Sequence, residues 1–187
     1  MESTGDNPLE ASDDATLTTT AGWLSAAWGV GGFVLLLGEA LYKLIPIALE
    51  TFSHSLNALH WIILVLWIAF MAYSEGYKGF QKGYSPRLAA RASWLRQHPS
   101  PRRSLLAPLF CMGFFETTRK RKIVAYALTC GIVVLVLSVR IMPQPWRGIA
   151  DAGVVVGLSW GLMSVLYFTW QALILNRRVS DPEVVVS

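Results

Sequence analysis

Charged side chains are scarce in this sequence. They make up 15% of its 187 residues, against roughly a quarter in ordinary soluble domains. Four stretches hold no Asp, Glu, Lys or Arg at all: Ala15–Gly38, Thr51–Ser74, Ile123–Val139 and Ala152–Asn176. Each is close to or above the ~17–25 residues that cross a ~30 Å hydrocarbon core as a helix. That argues against a water-soluble fold. Cysteine is equally sparse. Cys111 and Cys130 lie in no CxxC and in no Cys/His cluster, which speaks against a redox or metal role and leaves them as soft apolar fillers. The first twenty residues, "MESTGDNPLEASDDATLTTT", hold five acidic residues and no Lys or Arg. A secretory signal needs a positive start, so the first apolar run reads as retained and residues 1–20 as a disordered acidic tail. Catalytic signatures are missing too: no G-x-S-x-G elbow, P-loop, H-E-x-x-H or dinucleotide fingerprint occurs, and neither an enzyme activity nor a cofactor is expected.

What is present is apolar. Hydrophobic residues reach 53%, with eight Trp and a mean hydropathy of +0.44. The fold class that follows is an all-α integral membrane protein of four transmembrane helices, over about 21–44, 57–74, 123–141 and 150–175. These form a single domain over 21–176, with a loop at 75–122 and a short tail at 177–187. Thr18–Thr20 offers an N-cap for the first helix and Pro46 a stop. "PQPWRG" is a tight turn that should make the last two helices an antiparallel hairpin.

Positive charge sets the orientation. Eleven Lys and Arg fall between Tyr77 and Lys122, and Arg177 and Arg178 follow the fourth helix. The positive-inside rule then places the loop and both termini in the cytoplasm, N-in and C-in, as in a bacterial inner-membrane protein. Within the loop, "GYSPRLAARASWLRQ" starts a helix at Ser85–Pro86. Leu88, Ala92 and Leu95 fall on one side and Arg87 and Arg91 on another, so the segment reads as a basic amphipathic helix lying on the leaflet. Lys78, Lys82, Arg87, Arg91 and Arg96 would then present a surface to anionic lipids, worth roughly 1 kcal/mol per well-placed cation. No recognised nucleic-acid module surrounds these charges, so no nucleic-acid partner is expected. Residues 104–115 are apolar but too short to span; they read as interfacial, re-entrant or the start of a longer third helix.

Two constellations stand out. In "LLLGEALYKL", Glu39 and Lys43 are spaced i,i+4 near the end of an apolar run, either as an interfacial anchoring pair or as a functional carboxylate. Glu50, His54, Asn57, His60, Arg140, Arg147 and Asp151 belong to the same side, so Glu39, Lys43, His54 and His60 form a candidate ion or proton site. Two histidines six residues apart do not make a metal site. In the fourth helix Gly153, Gly157 and Gly161 form a GxxxGxxxG stripe for close helix packing. Its partner would be the first helix, through Gly31 and Gly38, or the same stripe of a second copy. The function favoured is a non-catalytic accessory, scaffold or lipid-interacting membrane component, in a homodimer or larger membrane complex. The alternative is an oligomeric channel or proton/cation-coupled transporter subunit using Glu39.

Overall fold

The computed structural model describes residues 8–185. Helix α1 runs from Pro8 to Glu50. Residues 1–7 of the expected disordered tail lie outside the described residues, while 8–20 belong to α1. The helix also continues through Pro46. Only the hydrogen bond that a residue-46 N–H would give to Tyr42 is lost, one turn before the helix ends. A 3-10 turn, Thr51–Ser53, follows.

The second helix is longer than its apolar run. α2 (Ala58–Met71), a π-helical segment (Ala72–Tyr84) and α3 (Ser85–Gln97) run on without a break for 40 residues. The helix therefore does not stop at Ser74, and α3 is not a separate surface helix. Charge alone does not break a helix, and no proline interrupts the chain between Asn57 and Ser85. Pro86 follows the widened π turns, where its ring is spared the carbonyl that an α turn would place four residues back. Side chains in this segment pair at π spacing: Lys78 lies 5.0 Å from the Tyr73 ring centre and Lys82 4.8 Å from that of Tyr77. Two short helices, α4 (Pro101–Leu105) and α5 (Ala107–Met112), come next, and Gly113 at φ +84° ends the second. α6 spans Arg119–Arg140, and α7 spans Trp146–Thr169 with π turns carrying it to Ile174.

Three of these elements make a bundle. α1 runs antiparallel to the α2–π–α3 rod: Gly22 abuts the Arg96 carbonyl, and Phe33 meets Tyr84 with ring centres 5.0 Å apart. α7 runs parallel to the rod. Trp67 Nε1 donates to the Ala150 carbonyl (3.1 Å), Trp160 Nε1 to Gln81 Oε1 (2.8 Å) and Arg96 Nη1 to the Leu173 carbonyl (3.1 Å). α5 wedges against α1, where Gly29 meets Ala107 and Cys111. The core gathers Phe33, Leu88, Leu95, Phe110 and Val165.

α6 stands apart. It hardly touches α7, and among the described residues its apolar window has none buried. The expected α6–α7 hairpin is connected as the turn requires but is not packed. Four helices of the described chain are long and apolar enough to cross a membrane. The segment expected to be a loop at 75–122 is largely helical, and half of it is built into the bundle.

Candidate functional site

The end of the bundle opposite the Lys/Arg-rich segment holds the residues first grouped as an ion site, and each has a separate local role. Lys43 Nζ lies 2.8 Å from Glu39 Oε1, and the pair sits on the outside, with side chains 69% and 61% exposed. His54 Nδ1 lies 3.1 Å from the Glu50 carbonyl. His60 closes a capping box: its backbone N–H donates to Asn57 Oδ1 (3.0 Å) while its Nδ1 accepts from the Asn57 backbone (3.2 Å). Its ring also stands edge-on to Trp146 at 4.8 Å. Glu39 and His54 are fifteen residues apart along the helix and its end, about 22 Å at 1.5 Å per residue. The structure does not bring the four together. Asp151 is buried and pairs with Arg147 at 3.9 Å. Among the described residues, no three His, Cys, Asp or Glu side chains gather as a metal-ligand set.

The glycine stripe has a different partner from the two expected. Gly153 faces Trp67 and Met71, Gly157 faces Glu75 and Gly161 faces the Phe80 ring, all on the rod. Among the described residues, Gly31 and Gly38 have nothing within 4 Å of a Cβ position, so they are not packing glycines. Close approach on α1 uses Gly22, Gly29 and Gly32 instead. The seam brings in a residue that sequence reasoning passed over. Glu75 Oε2 is buried against Gly157 with no hydrogen-bond partner among the described residues. It lies in the π segment, a helix form that often marks functional sites. The signal was in the sequence: Glu75, like Glu39, stands at the edge of a charge-free run.

The basic segment divides into internal struts and free charges. Arg91 is 3% exposed. Its Nε donates to the Phe110 carbonyl (2.6 Å), Nη2 to the Phe115 carbonyl (2.9 Å) and Nη1 to the Pro182 carbonyl (3.2 Å). The guanidinium also stacks 4.2 Å from the Phe110 ring centre. Arg91 therefore cannot belong to a lipid-facing surface. Arg96 is engaged as well, over Trp23 and on Asn176 Oδ1 (2.6 Å), and Arg87 is half-buried. Of the five residues expected to meet anionic lipid, Lys78 and Lys82 remain exposed. Arg102, Arg119, Lys120, Lys122, Arg177 and Arg178 are exposed alongside them.

Two ion pairs complete this end: Arg103 with Glu116 (2.6 Å) and Arg121 with Glu183 (2.7 Å). Sequence reasoning missed the second because 62 residues separate its members. Burial pushes the Cys111 thiol up to about 12, so it stays protonated and unreactive at neutral pH. Cys130 on α6 is exposed. An open apolar groove of about 620 Å³ follows α7 past Trp160 and Tyr167 and includes none of the candidate polar residues above. No protein-family model, curated protein or solved structure matches this chain.

Proposed function

We propose that this is a non-catalytic integral membrane component that works by association within the bilayer, N-in and C-in, with α6 as its pairing helix and a second copy as its partner. One observation carries this: α6 is a 22-residue helix that is held at its start through Arg121 and Tyr126, while its apolar stretch is left almost unpacked by its own bundle. Lipid is as apolar as leucine, so helices join in a bilayer through small residues that let backbones approach. Ala127, Cys130, Gly131, Val134 and Ser138 lie within about 100° of one another on α6 at 3.6 residues per turn. The face they form is small-sided, and Gly131 has open space around its Cβ position.

Cys130 lies on that face, so the native chain carries its own probe. Mild oxidation in membranes is expected to give a disulfide-linked dimer in wild type and in Cys111→Ser, and none in Cys130→Ser. A chain that stays monomeric in nanodiscs, with Cys130 freely labelled by a lipid-soluble thiol reagent, sinks α6 pairing. Capture of a different protein at Cys130 would keep α6 as the pairing helix and replace the partner.

Glu75 favours a second reading, cation or proton handling. An ionisable group inside a membrane helix bundle is costly and points to function by default, and Glu39, exposed and ion-paired, is a poorer candidate. Under this reading Glu75→Gln assembles normally and loses cation flux in proteoliposomes, whereas Glu39→Gln retains it. Equal flux in all three proteins removes the reading.

A further inference from the structure

We propose that the arginine cradle holding Glu183 is a phosphate-binding site at the membrane surface, and that the C-terminal segment is its intramolecular occupant. The cradle starts with a fork. Arg121 Nε and Nη2 donate to Glu183 Oε2 and Oε1 at 2.7 and 3.0 Å, and a guanidinium donates to two phosphate oxygens in that same geometry. Arg91 adds Nη1 to the neighbouring Pro182 carbonyl (3.2 Å) and lies within electrostatic reach of Glu183. Arg87 acts on the same carboxylate. Against these three cations stand Glu183 itself and Asp181, whose Oδ1 accepts from the Glu183 N–H (2.9 Å). Glu116 also acts on Arg91, but it brings its own cation, Arg103, at 2.6 Å.

Among the described residues, positive charge thus exceeds what the segment supplies. Arg121, helped by Arg87, holds the Glu183 carboxyl below the usual carboxylate range, which is how an anion behaves in a positive cradle.

The occupant is held in a manner suited to release. Glu183 takes a φ of +47°, a left-handed conformation that residues other than glycine seldom adopt and that structures tolerate mostly at functional positions. Glu116, whose carbonyl accepts from the Val185 N–H, is at +48°. Beyond the arginines, the described residues hold the segment by a bridge between Thr117 and Val184, the Val185 N–H to the Glu116 carbonyl (3.3 Å), and half-buried Val184 at the core edge. Arg121 and Glu183 are about one-third exposed, so an incoming group can reach them. Depth fits as well. Arg121 stands two residues before the apolar stretch that begins at Ile123, where headgroup phosphates lie if α6 crosses the bilayer. The ligand class is a phosphate mono- or dianion, from a lipid headgroup or free in solution.

The full chain tests this in nanodiscs of phosphatidylcholine, with phosphatidylglycerol added in one arm and inorganic phosphate in another. Hydrogen exchange at the Val185 amide reports the docked segment, and native mass spectrometry counts retained lipid. Phosphatidylglycerol is expected to lower Val185 protection by roughly fivefold, the scale of a partly exposed ion pair. The same loss with inorganic phosphate alone assigns the site to free phosphate. Glu183→Gln should exchange fast in every arm and retain more of the effective anion than wild type. Arg121→Gln should also exchange fast but retain no extra anion. Wild-type protection indifferent to both anions overturns the proposal. So does an Arg121→Gln protein that holds as much anion as Glu183→Gln. Neither outcome depends on α6 pairing, which Cys130 crosslinking reports separately.

Discussion

Arg91→Met is expected to destabilise the protein by about 3–5 kcal/mol, among the largest effects a single substitution in this chain should have. Methionine keeps most of the side-chain volume and removes every donor. The carbonyls of Phe110, Phe115 and Pro182 are then left facing an apolar side chain. Replacing a buried polar pair by apolar groups can be harmless when both partners change, but backbone carbonyls cannot change. Phe110 lies in the last turn of α5, whose C-terminal carbonyls carry partial negative charge. Arg91 also ties together α3, the chain after α5 and the C-terminal segment, so its loss should be felt in all three. Denaturant titration in detergent micelles measures the global effect, and fast exchange at the Val185 amide would show the segment released. Arg91→Lys separates charge from geometry: one ammonium can reach the Phe110 carbonyl but cannot fork to three, so recovery should be partial. Full stability in Arg91→Met would show that these carbonyls are solvated by some other means.

Much of this architecture is legible in the sequence, and the point where legibility fails is informative. The four apolar runs mark four long helices because a charge-free stretch of that length has few other uses. Arg87 and Arg91 misled for a physical reason. At i,i+4 they lie on one side of a helix, and a positive side opposite Leu88, Ala92 and Leu95 resembles a membrane-surface helix. Periodicity reports which residues share a face, not what that face meets. Here it meets the end of α5 and the chain beyond it, whose carbonyls welcome a guanidinium. Glu39 and Lys43 could be read correctly as a local pair because i,i+4 spacing is itself the contact. Arg121 and Glu183 could not, since nothing local in either segment points to the other.

Glycine spacing shows the same division between pattern and partner. Gly157→Leu is expected to destabilise by about 1–3 kcal/mol or more, whereas Gly31→Leu should be close to neutral. The stripe Gly153–Gly157–Gly161 and the pair Gly31 and Gly38 look alike in sequence, as small residues in apolar helices. In the bundle they differ completely. A Cβ on Gly157 would stand 2.6 Å from Glu75 Oε2 and 3.1 Å from its carboxyl carbon, while one on Gly31 meets nothing within 4 Å. Moving the Glu75 carboxylate aside does not suffice, because the Glu75 Cβ itself would stand 3.2 Å from the added Cβ, and leucine carries three further carbons into the same seam. Leucine at 157 must therefore separate α7 from the rod, taking with it the Trp67–Ala150 and Trp160–Gln81 hydrogen bonds on either side. Denaturant titration of the two variants side by side measures the contrast. Equal stability of Gly157→Leu and Gly31→Leu would mean that α7 does not seat on the rod through its glycines. A severe loss in Gly31→Leu alone would place the glycine contact on α1, where the sequence first suggested it.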